Sequence, residues 1–426
     1  MGPIAGKVGA ATSFVEQQSQ PSRRTSRRVR LALIAAAPIL LVTAALAYNY
    51  QLLRASVILA HNYERPIVLR TYEHLLNYHV QFSEFTIPGS NGPIAMRMYV
   101  PTNKRDPPPM VLVHGLVPTG NRHEYMNDIG QHLAKVGFLV VLPTLPAEVH
   151  FEMRQSDMTV ITDVIRWTAQ KTGQQVSLVG NSFSGGLIVP AAVQPSVAGK
   201  VKVIFCNSGY YSLDKIGRYY IRDRVLDPYG RPYPSESPGP LIIAAEFLNE
   251  LVPAEDVPNL TAAIDGFHAN DGYELPPDSP VMKRLTPRQW AEFQQIKTAS
   301  SPEFRRLYHQ VLERHHQEIT AISPSSVLKD FKIPLYVLHS SRDPVFPQGE
   351  VEWIRKMTEG NPNVHILVSP WIEHVKVGLP ATAWQKYLVI RFCAQMLKEA
   401  SQVKWVSQSQ PRPLVTGMQP AHAGSK

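Results

Sequence analysis

The stretch "LVGNSFSGG", Leu178 to Gly186, decides how this chain is read. An apolar run, "VSLVG" (Val176 to Gly180), leads into Ser182, which stands among small residues with one bulky neighbour, Phe183. A serine held out at a strand-to-helix junction needs a very sharp turn, in which side chains two residues before and two residues after it would collide. Gly180 and Ser184 hold those two places. The usual signature has glycine at both, so Ser184 is a departure, though one that stays small. Gly185 and Gly186 then allow a following helix to lie close to a sheet.

Outward from this turn, short β-branched runs alternate with helical stretches, the pattern of a mostly parallel sheet covered on both faces. "HVQFSEFTIPGSNGPIAMRMYVP" predicts a hairpin around Gly89 to Gly92, preceded by a lead-in helix over Ala55 to Tyr78. Further strands are expected at Met110 to Gly115, Phe138 to Pro143, Val176 to Gly180, Lys202 to Asn207, Pro334 to Ser340 and Val364 to Pro370. Of the helices between them the first is well marked. Asn121 is its expected cap, with Glu124 three residues on; Tyr125, Ile129 and Leu133 share one face, and Gly137 stops it. A last helix is expected around Ala383 to Lys398.

One interval breaks the rhythm. Residues 208–333 separate two strands that a single helix would normally connect, and hold 13 of the 37 prolines. An apolar helix near Leu241 to Leu251 and an amphipathic one from Ser301-Pro302 through Phe304, Leu307, Tyr308, Val311 and Leu312 are expected there. Because the sheet pattern resumes beyond it, the interval reads as a lid inserted into one domain (residues 79–400) rather than a separate module.

A serine hydroxyl becomes a nucleophile only when a base takes its proton, and an imidazole base needs a carboxylate to fix its tautomer. "HSSRDPVFP" puts Asp343 just after one expected strand, and "SPWIEHVKVG" puts His374 just after the next. The order Ser182, Asp343, His374, with both partners in loops after successive strands, is the third sign in the same register. Competing assignments are His114, expected to support the turn at Gly115; His365, expected to pack within a strand; Asp214, a second place for the acid; and Glu373, which would point away from His374. Tyr210, Tyr211, Tyr219 and Tyr220 either line a pocket beneath the lid or simply pack.

With these residues the chain resembles the α/β-hydrolase superfamily over roughly Gln81 to Ala400, the lid matching nothing specific. The resemblance implies an α/β-hydrolase fold with a large lid insertion. It implies that "VLVHG" carries half of an oxyanion hole, so that the backbone N–H groups of Leu116 and Phe183 would hold a tetrahedral intermediate. Esterases, lipases, acyl-peptide-type hydrolases and dienelactone-hydrolase-like proteins share these parts; the Cys nucleophile typical of the last is absent here.

Charge narrows the partners. The formal net charge is +9, but residues 1–30 carry six basic residues against Glu16, and residues 401–426 add Lys404, Arg412 and Lys426. The body is nearly neutral, which leaves a nucleic-acid footprint without support. The basic residues 1–30 read as a cytoplasmic tail, and the stretch Leu31 to Leu53, free of charge, reads as a transmembrane anchor or signal segment, with Tyr48 and Tyr50 at the interface and "ALA" at Ala47 as a cleavage site. Either places the body outside the cytoplasm. Residues 401–426 read as a disordered tail. Cys206 and Cys393 sit in apolar segments, as a pair or as two free thiols. No metal-ligand spacing occurs, "RHH" at Arg314 to His316 reading as a solvated face, and no cofactor is expected.

The expectation is a serine hydrolase that cleaves a carboxylic ester of an apolar acyl group through an acyl-enzyme, selected by the lid. Two alternatives stand beside it: a peptidase or amidase using the same three residues, with Glu246 or Glu250 of the lid meeting a free amino terminus, and a non-catalytic binding protein that keeps the fold.

Overall fold

The structure, a computed structural model, describes residues 49–59, 73, 77–235, 239–269, 275–276 and 278–406. Residues Gln51–Lys426 form one compact unit; of the other, Met1–Tyr50, only the last two residues are described.

Five runs of apolar and β-branched residues are buried along their whole length: β3 (Pro109–Val113), β4 (Leu139–Pro143), β5 (Val176–Asn181), β6 (Val201–Asn207) and β7 (Leu335–Ser340). Burial on both sides is what strands in the middle of a covered parallel sheet require. The flanks differ in kind. The hairpin β1 (Val80–Gly89) and β2 (Gly92–Pro101) folds back with Gly89 opposite Gly92, and β8 (Val364–Ser369) is only half-buried over most of its length.

The eight strands lie in the order β1-β2-β4-β3-β5-β6-β7-β8, antiparallel from β1 to β4 and parallel beyond. The chain leaves β3 for the neighbour on one side and then returns past it to β5 on the other. Such a reversal opens a crevice at the carboxyl ends of the strands, where open α/β sheets hold their ligands. Val113 at the end of β3 is level with Gly180 of β5, so the loops after these two strands emerge side by side.

Helices cover both faces. On one lie α1 (Tyr50–Leu59), α2 (Glu124–Lys135) and α12 (Ala383–Ala400), joined through Ala55, Leu133, Phe392 and Leu397 to the strand residues that point their way. On the other lie α3 (Gln155–Thr172) and α4 (Phe183–Ala192), with α11 (Gly349–Met357) beside β7. Between β6 and β7 run α5 (Leu213–Tyr220), α6 (Leu241–Leu251), α7 (Val257–Ala269), α8 (Pro287–Thr298), α9 (Pro302–Arg314) and α10 (His316–Ala321). Their Ile216, Phe247, Ile264, Phe293 and Tyr308 belong to the same apolar core as α3 and α4.

Several expectations need correction. Asn121 does not cap α2: it lies buried in a turn of 3-10 helix, and its Nδ2 donates to the carbonyl oxygens of Ala95 and Leu142, so it ties β2 to β4 instead. α1 begins at Tyr50, five residues before the expected start of the lead-in helix; of the expected stretch Ala55 to Tyr78, residues 60–72 and 74–76 lie outside the described residues, and Glu73 is helical. The expected span Leu31 to Leu53 lies outside the described residues up to residue 48; Leu52 and Leu53, within α1, pack against the apolar core of the folded body. Among the described residues no helix is long and apolar enough to cross a membrane. Residues 401–406 are not a disordered tail: Lys404 accepts from the Gln175 N–H at 2.7 Å and Val406 donates to Gly173, which pins this segment to the start of β5; residues 407–426 lie outside the described residues. Cys206 and Cys393 are both free and buried, each in a different one of the two cores that flank the sheet, and burial pushes both thiols up to about 12.

Candidate active site

Ser182 sits between the last residue of β5 and the first of α4 with φ 57° and ψ −128°, a conformation L-residues rarely adopt. Holding it costs about 1–3 kcal/mol, which the surroundings must offset. The Ser182 N–H donates to the Asn207 carbonyl at 2.9 Å, and its own carbonyl accepts from the Gly185 N–H at 2.9 Å. Glycine at 180 is demanded by contact, since a Cβ there would lie 2.6 Å from the Ser184 carbonyl oxygen. Gly115 meets the same limit from the other side: a Cβ on it would come within 2.9 Å of the Ser182 Cβ. The loop after β3 therefore runs directly against the serine, as the register of β3 and β5 requires.

His374 lies in the tight hairpin between β9 (Ile372–Glu373) and β10 (Lys376–Val377), itself at φ 50°. Its Nε2 is 2.7 Å from Ser182 Oγ. Its Nδ1 is 2.9 Å from Oδ2 and 3.0 Å from Oδ1 of Asp343. The carboxylate fixes the tautomer: with the proton on Nδ1 facing Asp343, Nε2 is left as an acceptor for the serine hydroxyl. Asp343 is wholly buried, and burial alone would raise its pKa; the adjacent His374 and the N–H of Phe346 outweigh this and bring it down to about 2. The Val345 and Phe346 N–H groups donate to Oδ1 at 2.9 and 2.8 Å, so the carboxylate is oriented before it meets the imidazole.

Four groups outside these three fix the histidine hairpin. Ser208 Oγ donates to the His374 carbonyl at 2.5 Å, Tyr125 Oη and Asn207 Nδ2 to the Val375 carbonyl at 2.8 and 3.1 Å, and Ser340 Oγ to the Ile372 carbonyl at 2.6 Å. None was singled out for this from sequence; the only available sign was that Asn207, Ser208 and Ser340 are polar residues at the ends of otherwise apolar strands.

The remaining candidates separate cleanly. His114 is buried beneath the loop after β3; its Nδ1 faces the Gly115 carbonyl at 2.7 Å and its Nε2 accepts from the Leu145 N–H at 3.0 Å. Burial lowers it to about 4, so it stays a neutral prop of that loop. Leu116 follows at once in the same loop, and Phe183 opens α4, where the first N–H groups have no acceptor within the helix. Asp214 is bound to Arg218 on α5 at 3.0 Å. Glu373 is exposed, paired through the hairpin with Lys376. His365 lies tilted against Tyr336, with ring centroids 4.6 Å apart. Tyr210 and Tyr220 are fully buried, their hydroxyls donating to the carbonyls of Ile322 and Val345, so packing accounts for them. In the "RHH" stretch Arg314 and His316 are exposed as expected, while His315 turns inward: its Nε2 is 2.6 Å from Glu250 and its ring lies against Phe247, joining the end of α9 to α6. Among the described residues no group of side chains has the arrangement of a metal site.

No protein-family model and no curated protein matches the chain. Among solved structures it is similar to an esterase of Pyrococcus furiosus (12% identity, 76% of this chain and 94% of that one, TM-score 0.42). It is also similar to an esterase of Pyrobaculum calidifontis (17% identity, 79% and 90%, TM-score 0.40) and to an acylaminoacyl peptidase of Pyrococcus horikoshii (14% identity, 80% and 44%, TM-score 0.42).

Proposed function

We propose that this chain is a serine hydrolase of the α/β-hydrolase type, cleaving carboxylic esters through an acyl-enzyme. One observation carries the reading: a single imidazole bridges Ser182 Oγ at 2.7 Å and a buried, ionised carboxylate at 2.9 Å. In this reading His374 takes the Ser182 proton as the oxygen attacks the ester carbonyl, and Asp343 stabilises the imidazolium that forms. The N–H groups of Leu116 and Phe183 receive the developing oxyanion, each such donor being worth about 3–4 kcal/mol to the transition state. His374 then gives the proton to the departing alkoxide, and a water deprotonated by the same imidazole releases the acid.

The ester reading is preferred to the peptidase reading because the acidic residues that would meet an amino terminus are engaged. Glu250 is held by Arg314 and His315, and Glu246 is buried, accepting from the Met153 N–H with Arg154 beside it. The helices between β6 and β7 stand as the proposed lid, and an apolar acyl group as the proposed substrate feature. The charge-free run before residue 49, with its basic leader, supports a body held or exported outside the cytoplasm; the mass of the protein recovered from membranes tests that.

A fluorophosphonate probe should label the purified protein at Ser182 and leave Ser182→Ala unlabelled. Hydrolysis of nitrophenyl esters with no turnover of aminoacyl-naphthylamides would support the ester; the reverse would establish the amide. Absence of both labelling and turnover would leave a non-catalytic protein.

A further inference from the structure

Three chain segments that need not touch converge under the serine turn. Ser184, at the place where the usual signature has glycine, is fully buried, and its Oγ lies 2.7 Å from both carboxyl oxygens of Glu148. Glu148 is itself fully buried, in the loop after β4, and one of its oxygens is 3.7 Å from Nδ1 of His114, the prop of the loop after β3. In the sheet β3 stands between β4 and β5, so Glu148 reaches across the foot of one loop to grip the turn that carries the other half of the site.

We propose that Glu148 is a positioning residue, locking the Ser182–Phe183 turn to the loop of Gly115 and Leu116 so that the two oxyanion donors keep a fixed separation. The inference rests on the hydrolase reading above. The chemistry of the pair supports it. A buried hydroxyl costs free energy unless it finds a partner, so a glycine-to-serine change at this place would weaken the turn without Glu148. Burial, then the charge of Asp157, keeps the Glu148 carboxyl well above the ordinary range, its bond to Ser184 opposing them more weakly. A neutral acid can both donate and accept, which suits a contact with a hydroxyl. Glu148 is fixed in turn from behind: its N–H and that of Ala147 donate to the two oxygens of Asp157, at 2.9 and 3.1 Å. The same loop continues into Phe151, stacked on His268 of α7, and Arg154, bound to the Glu246 carbonyl of α6, so it is anchored at both ends.

The test compares full-length wild type, Glu148→Ala, Glu148→Gln and Ser184→Ala with p-nitrophenyl butyrate, reading kcat and KM separately, together with the rate of fluorophosphonate labelling. Loss of alignment at an oxyanion donor should lower kcat about tenfold or more in Glu148→Ala and Ser184→Ala, with KM and labelling-site identity unchanged. Glu148→Gln, which keeps a donor and an acceptor in place, should retain most of kcat, and the double alanine variant should be no slower than the slower single one. If kcat is unchanged in Ser184→Ala, or if the loss falls on KM alone, the proposal is overturned; Ser184→Ala decides the matter should Glu148→Ala not fold. A wild type that neither labels nor turns over would overturn the hydrolase reading, and this inference with it. An active wild type with unaffected variants would overturn the inference alone.

Discussion

Asp343 and His374 meet through two nearly equal contacts, 2.9 and 3.0 Å from Nδ1, the carboxylate wholly buried and the imidazole partly open to solvent. The geometry makes the carboxylate an acceptor for one tautomer only. Replacement by asparagine keeps the shape but offers an N–H toward Nδ1 as readily as an oxygen, which turns Nε2 from acceptor into donor. Asp343→Asn should therefore lower kcat by about four orders of magnitude with KM within a few-fold, by analogy with the general behaviour of such dyads. Steady-state kinetics on nitrophenyl esters check this; a loss below tenfold would mean that the imidazole is not acting as the base.

The buried carboxyl groups make stability depend on pH in a definite direction. Glu246 is raised to about 8 by burial despite the opposing pull of Arg154, and Asp157 to about 6, again by burial. In the unfolded chain both ionise near their ordinary values, so between about pH 4 and pH 8 the folded state binds more protons than the unfolded one, and stability falls as pH rises. Asp343 has the opposite sign: its folded value of about 2 contributes stability that is present above about pH 4 and lost as pH drops toward 2. Thermal melts of Glu246→Gln should be flatter than wild type between pH 5 and 8, with the variant gaining relative to wild type at the upper end. Parallel pH curves for the two proteins would remove Glu246 from this account.

Gly180→Ala tests the turn by itself. The added methyl would sit 2.6 Å from the Ser184 carbonyl oxygen and 2.9 Å from Ile188 Cδ1, and backbone cannot step aside as a side-chain tip can. Overpacking of this kind costs about 1–3 kcal/mol, so the melting temperature should fall by several degrees and labelling of Ser182 should slow. Gly92→Ala, in the β1–β2 turn with open space around it but a φ of 123° that strains any side chain, serves as the comparison: it should also lower the melting temperature, yet leave labelling unchanged.

How far these elements could be read in advance followed from where their information lies. The five buried strands announce themselves because burial on both faces demands continuous apolar runs such as "MVLV" and "VIFC". The convergence of Ser182, Asp343 and His374 was legible because they stand in the connections that follow three strands of the sheet, β5, β7 and β8. Of the helices between β6 and β7, α6 and α9 show an apolar or amphipathic pattern, whereas α5 is short and the shape of α7 is interrupted by Gly266. The start of α8 does carry a local signal, Thr286 and Gln289 forming a capping box with Pro287 at the first helical position. Asn121 misled because its spacing to Glu124 imitates such a box, while tertiary contacts to Ala95 and Leu142 outbid the local one. Glu148 was invisible because its significance depends on the crossing of β3, β4 and β5, which periodicity does not encode.

The last relationship to test is the hold on the histidine hairpin. His374 has a positive φ of 50°, and its carbonyl is fixed by Ser208 Oγ at 2.5 Å, in the residue that follows β6 and carries a φ of 50° as well. Two strained residues bonded to each other form a clamp whose removal releases both. A neutral hydrogen bond contributes about 0.5–1.5 kcal/mol net, so Ser208→Ala should fold with a small loss in melting temperature. The imidazole, however, must stay within hydrogen-bond reach of Ser182 to accept its proton, and a hairpin free to shift by about an ångström loses productive geometry out of proportion to the stability lost. Ser208→Ala should thus reduce kcat by about ten- to a hundredfold while KM stays nearly constant. Tyr125→Phe, which removes one of two bonds to the Val375 carbonyl and leaves Asn207 in place, should cost much less. Equal losses in the two variants would show that the Ser208 contact is not the one that sets the position of His374.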